Sequence, residues 1–428
     1  MASESPHQTY YTRQVQRLIS RLYERSPQKD TLLDRAMDYF EQQEFKPTTE
    51  TLTTDEADLA ERERTERHSN LLAICLEIIE LSEGETFAET NRKSAQFLGT
   101  IQLVSPTEGK KVSRNNELCK SLYKAVLALR LLDHLIIDGQ IVEDHILKYV
   151  EGVTPGDFKN FHNYDVEASQ RFIHQIKIPL LMAALLQDIG HHHPKAQAII
   201  YGAEGNEDPF RTLEVEQRKA LLQINYRETI NYISEGIGIP AFVGNTKEER
   251  ENFYQNEKEK LNFMQLLIKT SIKPKNSVGN ILKVPQIYTS IILSTKSSYN
   301  YKLLPQVYQV LNKNAELGAC AQSVVDSLYQ ITGMFPQGFG IVYMPFSEFG
   351  GKGDCYEYAI VNGLYPQTPE HPICRMTTRK LAFIGFGHDI VITKSMNLYF
   401  TQTAKKLASL SKERLNEILE LLSSNAAE

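Results

Sequence analysis

Apolar residues recur at helical spacing along most of this chain, and the pattern stops at Gly333. In the longest part of it, apolar segments of roughly 12 to 25 residues alternate with turns marked by proline or glycine, which is typical of an all-α arrangement. After Gly333, short β-type runs alternate with turn residues at 341–343, 356–361, 381–386, 390–393 and 397–401. A single apolar stripe at helical spacing then returns in residues 403–424.

These patterns predict a mainly α fold with a small C-terminal β module. We expect an N-terminal helical region (residues 1–120), a helical domain (121–335), a five-stranded barrel or sheet (336–402) and a C-terminal helix (403–428). Charged residues crowd between positions 41 and 67, and we interpret this run as the solvated face of a helix.

The overall charge limits the partners that the whole surface can bind. The chain has 47 Lys and Arg against 53 Asp and Glu, a formal net charge of −6. Such a balance argues against a surface that grips nucleic acid or anionic lipid over its full extent. Any anion site must be local, and nucleic acid is an unlikely partner.

Cysteine usage and hydropathy indicate the compartment. The five cysteines are odd in number, lie far apart and include no CxxC pair, so they predict reduced thiols rather than a disulfide framework or a zinc ribbon. The longest apolar stretch, residues 178–186, is shorter than the roughly 20 residues that a membrane span needs. We expect no signal peptide, no membrane span and a cytoplasmic location.

One helix end carries a motif with possible metal chemistry. Residues 182–191 read MAALLQDIGH, which resembles the end of the metal-binding helix of HD-superfamily phosphohydrolases. In that family an apolar helix closes with His-Asp, followed by Ile-Gly, and the adjacent His and Asp offer a nitrogen and an oxygen ligand to one divalent metal. In this chain Gln187 stands at the histidine position.

A downstream series of motifs makes the resemblance more specific. Residues 281–290 (ILKVPQIYTS), Tyr299, Pro305 and residues 333–338 (GMFPQG) occur in an order and spacing similar to the end of the HD-GYP subfamily. The similarity extends over about residues 160–400. It implies an HD-type helical core, followed by a small β module, and a place in bacterial cyclic di-GMP signalling.

Carried over residue by residue, the resemblance leaves most metal positions without a ligand. His162 matches the first-helix histidine, and Asp188 matches the HD aspartate. Gln187 replaces the HD histidine, and Gln286 stands where the last metal-binding aspartate is expected. Two ligands out of about seven cannot offset the hydration of a two-metal centre.

The resemblance therefore predicts a degenerate, non-catalytic HD-GYP-like protein that acts by binding, without a cofactor. Its partner would be a protein of a cyclic-dinucleotide pathway or an anionic small molecule.

The alternative is a metal-dependent phosphohydrolase with a rearranged site, in which His162, Asp188 and His191 hold one divalent metal. In the non-catalytic case we expect Asp188 to be hydrogen-bonded to the backbone or to a neighbour and Gly190 to end the helix with a positive φ. Three adjacent histidines (191–193) point in different directions on a helix, so we interpret them mainly as surface or capping residues.

A local excess of lysine is independent of the family resemblance. Residues 261–315 contain seven lysines and neither an acidic residue nor an arginine. Lysine is a flexible point charge suited to phosphate or to an acidic protein face. These lysines either face the acidic run of residues 41–66 or bind an external anion, for which the candidate residues are Lys269, Lys273, Lys275 and Lys283.

Overall fold

The computed structural model describes residues 9–45, 54–106, 108–345, 356–380, 382–385 and 387–400. Its N-terminal helices are α1 (Tyr10–Tyr23), α2 (Leu32–Phe45), α3 (Thr54–Ser82), α4 (Phe87–Val104) and α5 (Val112–Ile137). Both α1 and α2 lie where the spacing of apolar residues predicts them. The charged run continues directly into the apolar half of α3, and its side chains in residues 55–66 are mostly exposed, as predicted for a solvated face.

The chain then forms a series of helices with two π-helical segments. Its first part comprises α6 (Asp144–Leu147), α7 (Pro155–Phe158), α8 (Phe161–Tyr164), α9 (Val166–Phe172), the π segment Ile173–Lys177, α10 (Ile178–Leu186), a 3-10 turn (Ile189–His192) and α11 (Pro194–Ile200). Its second part comprises α12 (Val215–Asn231), the π segment Tyr232–Ile237, α13 (Lys247–Ser271), α14 (Asn280–Ile292), a 3-10 turn (Tyr301–Gln306), α15 (Val307–Glu316) and α16 (Gln322–Thr332).

Helix α5 lies at the centre of the molecule. It packs against α10, α14 and α16, and nearly all of its residues from 121 to 135 are buried. Helix α10 is buried along its whole length and also contacts α13 and α3. The apolar core is continuous from α1 to the C-terminal sheet, and α5 runs through residue 120, where the sequence places a domain boundary.

Four buried charges tie three of these elements together. Lys177, in the first π segment, places its Nζ 2.9 Å from a carboxylate oxygen of Glu83, directly after α3, and 3.1 Å from one of Asp133 on α5. Arg130, also on α5, pairs with Glu83 and lies 3.0 Å from Asp133. Burial alone would raise the pKa of Glu83, but Arg130 and Lys177 outweigh it and lower that pKa. We call these four residues the buried charge cluster.

The β module differs from the predicted five-stranded arrangement. Its strands are β1 (Gly340–Tyr343), β2 (Glu357–Val361), β3 (Ile373–Met376), β4 (Thr378–Arg379), β5 (Ala382–Phe383) and β6 (Asp389–Val391). An antiparallel sheet has the order β1-β2-β3-β6, and β4 pairs separately with β5. The mainly helical class with a C-terminal antiparallel sheet is thus confirmed.

Three strand predictions need correction. Strand β3 was not predicted, although it pairs with both β2 and β6, because its sequence ICRM lacks a run of β-branched residues. Of the described residues in the run at 381–386, only Ala382 and Phe383 form a strand, the short β5, and both are exposed. In the run predicted at 397–401, the described residues 397–400 contain a single bridge, from Asn397 to Tyr343, instead of a strand. The predicted helix at 403–428 lies outside the described residues.

Two further predictions concern cysteines and membrane spans. The described cysteines (Cys75, Cys119, Cys320 and Cys374) are free and buried. Burial raises the pKa of the Cys119 thiol to about 11. The continuous helical stretch Val166–His192 is long and apolar enough to cross a membrane, but 78% of its apolar window is buried inside the protein, as in a core helix.

Candidate functional site

Asp188 lies where three central helices meet. It lies two residues after the end of α10. Its carboxylate accepts hydrogen bonds from Lys124 Nζ on α5 at 2.9 Å and from Gln286 Nε2 on α14 at 3.2 Å. Lys283, one turn before Gln286, places its Nζ 3.3 Å from the Gln286 Oε1. The structure thus brings together Asp188 and Gln286, and the aspartate is hydrogen-bonded to neighbouring side chains.

The electrostatics of this contact favour a permanently ionised aspartate. Burial would raise the pKa of Asp188, but the Lys124 ammonium, with contributions from His191 and Lys120, outweighs it and lowers the pKa to about 2. The Lys124 side chain is only 4% exposed, whereas that of Asp188 is 39% exposed. Asp188 is therefore the partner that allows Lys124 to remain charged inside the protein.

The structure gives Gln187 and Gly190 packing roles and not roles at a metal site. The Gln187 side chain is buried, and its Nε2 lies 3.5 Å from Ser271 Oγ on α13, away from Asp188. Gly190 does not adopt a positive φ, so the prediction of a left-handed helix end is wrong. A Cβ at this position would lie 2.3 Å from the Asn225 carbonyl oxygen on α12. Glycine is required here because another backbone passes close by.

The candidate histidines are distributed over three environments. His162 lines a cavity of about 540 Å³ together with Glu83 and Lys177, whereas Asp188 and His191 line a different cavity. His192 also lines the Asp188 cavity, and burial lowers its pKa to about 4. His193 is the N-cap of α11, where its Nδ1 accepts a hydrogen bond from the Lys195 N–H at 3.1 Å, as the capping interpretation predicts.

This donor set does not fit a divalent metal. Lys124 and Gln286 direct N–H groups at both oxygens of Asp188, and such donors compete with a cation for the carboxylate. The structure does not bring His162 to Asp188, which the single-metal arrangement would require. Across the described ranges, no group of three or more His, Cys, Asp or Glu side chains could hold a metal ion.

A cationic groove lies beside this contact. A cavity of about 760 Å³ is lined by Lys120, Arg218, Lys283 and Lys296, together with Gln286 and several hydroxyl and amide side chains. Among the residues that the structure describes, no acidic side chain belongs to this lining. Lys120 Nζ is 2.7 Å from the carboxylate of Glu117, a residue that does not line this cavity. The other three cations form no ion pair within the part of the chain that the structure describes. Burial lowers the pKa of Lys283 although the nearby Asp188 carboxylate opposes this shift, and a bound anion would stabilise the charged form further.

The remaining predicted lysines lie elsewhere. Lys269 is exposed at the end of α13 and donates to Gln265, and Lys273 and Lys275 are exposed in the following loop. None of the three lines the cationic groove. Three acidic residues of the charged run pair instead with arginines, namely Glu61 with Arg64, Glu63 with Arg67 and Glu66 with Arg35.

The sequence missed Lys120, Lys124, Arg218 and Lys296. A usable signal existed for Lys124, because a charged residue inside the apolar run of residues 122–135 must be buried with a partner. That partner lies 64 residues away along the chain, so spacing could not identify it. Arg218 and Lys296 line the same groove because α12 and the segment after α14 border it.

The contact between Asp188 and Lys124 leads to a testable stability difference. We expect Asp188→Ala to lower the free energy of unfolding by about 1–3 kcal/mol, because it leaves the Lys124 ammonium buried without its partner. Adding Lys124→Met should recover part of this loss, which a double-mutant cycle by urea denaturation measures. The matched control is Asp389→Ala, whose ion pair with Arg375 is half exposed and should cost less than about 1 kcal/mol. If the effects of Asp188→Ala and Lys124→Met on the free energy of unfolding were strictly additive, the coupling between the two side chains would be contradicted.

No family model, curated protein or solved structure matches this chain. Proposals about its function therefore depend on its own residues.

Proposed function

We propose that this protein binds an anionic, phosphate-type ligand in the cationic groove. The observation that carries the proposal is the composition of the lining, which contains Lys120, Arg218, Lys283 and Lys296 and, within the described ranges, no carboxylate. In a chain with a formal net charge of −6, a cavity of this kind concentrates anions locally. Hydroxyl and amide side chains of the same lining, such as Ser290 and Asn314, suit the oxygen atoms of a phosphate.

We further propose that the helical core is a degenerate HD-GYP-like domain that acts without catalysis. Support comes from the contact of Asp188 with Gln286, two positions that the resemblance assigns to one site. Lys124 supplies the positive charge that balances Asp188. A binding site of this design is suited to a regulatory or scaffold protein of bacterial cyclic-dinucleotide signalling, which responds to an anion or joins it to a protein partner.

The proposal is tested by titration calorimetry with pyrophosphate as the probe. The triple variant Arg218→Gln, Lys283→Gln and Lys296→Gln should weaken binding at least about tenfold, since each cation within a few ångströms contributes about 1 kcal/mol or more. Binding to the parent protein should also weaken as NaCl is raised. The matched control carries the same change at Lys269, Lys273 and Lys275, and its affinity should equal that of the parent.

Two results would contradict the proposal. Equal losses in the groove variant and in the control variant would show that pyrophosphate responds only to the general charge of the lysine-rich region. Stoichiometric transition metal in protein purified without chelator, lost with phosphodiesterase activity in Asp188→Ala, would support the rearranged phosphohydrolase instead.

A further inference from the structure

A second cavity adjoins the cationic groove and is largely apolar. It has a volume of about 520 Å³, within the range of small-molecule sites. Its hydrocarbon wall comes from α5, α10, α11, α12 and the loop before α12, and includes Leu118, Leu185, Ile200, Phe210, Leu213 and Leu222. We call this cavity the apolar compartment.

The two cavities share one boundary. Lys120, Arg218, Thr295 and Lys296 line both the apolar compartment and the cationic groove. A ligand whose anionic group lies among these cations can therefore extend an apolar part into the compartment. Ser121 also lines the compartment and is 8% exposed, and its buried Oγ has no hydrogen-bond partner among the residues that the structure describes.

The polar side chains of the compartment favour an aliphatic group over a nucleobase. The Tyr23 hydroxyl donates to the Leu185 carbonyl at 2.6 Å, and Gln197 Nε2 donates to the His191 carbonyl at 2.7 Å. Arg211 likewise donates to the Ile199 carbonyl in the last turn of α11 at 2.9 Å. Two carboxylates also line the compartment, and both are engaged, Asp188 by Lys124 and Gln286 and Glu117 by Lys120. Because these donors and acceptors are engaged within the protein, the polar edge of a base would lose its hydrogen bonds to water without full replacement.

We propose that the ligand is an alkyl phosphate, with its phosphate at the shared cations and its chain in the apolar compartment. This inference rests on the proposed function, because the same cations hold the phosphate. Each methylene that leaves water on binding should strengthen the complex by roughly threefold to fourfold, until the chain fills the compartment. Chain length therefore separates this ligand class from a simple anion.

Titration calorimetry of the full chain at neutral pH tests the inference with three probes, namely decyl phosphate below its micelle concentration, inorganic phosphate and adenosine monophosphate. We expect decyl phosphate to bind at least about 30-fold more tightly than inorganic phosphate. Adenosine monophosphate should gain no more than about threefold, since the donors and carboxylates that line the compartment are already engaged within the protein.

The decisive variant is Tyr201→Ala with Leu222→Ser, which removes apolar wall at two partly exposed positions. It should weaken decyl phosphate binding by about tenfold and leave inorganic phosphate unaffected. The matched control is Val142→Ser, which changes an exposed apolar residue that does not line either cavity. Its affinity for both probes should remain that of the parent.

The results that would contradict this inference distinguish a failure of the apolar compartment from a failure of the anion site. If decyl phosphate and inorganic phosphate bind equally, and both are lost with Arg218→Gln and Lys296→Gln, the apolar compartment is not used although the anion site stands. If adenosine monophosphate binds more tightly than decyl phosphate, the compartment holds a base. Adsorption to phosphatidic acid vesicles, without saturable binding of the monomeric probe, would assign the chemistry to a membrane surface. Absence of binding by every probe would overturn the anion site as well.

Discussion

Replacing Arg130 with methionine is expected to lower the free energy of unfolding by about 3–5 kcal/mol. The Arg130 side chain is only 1% exposed and pairs with both Glu83 and Asp133 in the buried charge cluster. Without it, the two carboxylates face the single ammonium of Lys177, so one negative charge is left uncompensated away from water. Urea denaturation followed by far-UV circular dichroism measures the loss.

A surface arginine provides the matched control for this substitution. Arg92 pairs with Glu89 one turn away, and its side chain is 64% exposed. Arg92→Met should therefore change the free energy of unfolding by less than about 0.5 kcal/mol. If Arg130→Met proved as mild as the control, water or a rearranged neighbour would have to solvate the cluster, and its role in joining α3, α5 and the first π segment would be refuted.

The substitution Gly190→Ala should cost about 3 kcal/mol, the upper end of the usual range for overpacking. The new methyl group would meet the Asn225 carbonyl oxygen at 2.3 Å, and a backbone atom inside a helix cannot rotate away as a side chain does. To relieve this clash, α12 must shift relative to the turn after Asp188. Thermal and urea denaturation of the variant check the expected loss.

Gly156→Ala is the corresponding control, since its Cβ would lie 3.8 Å from the nearest atom, Thr154 Oγ1. This change should stay within about 0.5 kcal/mol of the parent protein. Similar stabilities for the two glycine variants would contradict the close approach of α12 to Gly190.

The helices were predictable because their apolar residues follow one period over several turns. Helix α1 illustrates this, since Val15, Leu18, Ile19 and Leu22 are its buried residues and also the ones that define its sequence pattern. Strand β3 gives no such signal, because a strand of four residues contains only two alternations. Its place in the sheet is decided by pairing with β2 and β6, which local sequence does not encode.

The site was predictable only where a motif marked the residue. Asp188 and Gln286 belong to two motifs of one resemblance, and they lie in contact. The cationic groove has no motif, because its lysines and its arginine come from α5, α12, α14 and the segment after α14. The lysine-rich stretch contributes Lys283 and Lys296 to this groove, so local charge density identified the region but not the set of residues.

The reactivity of the buried thiols can be used to measure conformational opening of this protein. Cys75 and Cys119 lie within the helical core, whereas Cys374 lies in strand β3 of the C-terminal sheet. A thiol shielded in this way reacts with an alkylating reagent only when its surroundings open, so its labelling rate measures the population of that open state. Mass spectrometry of each labelled peptide would thus time the opening of the sheet separately from that of the helices, without any introduced probe.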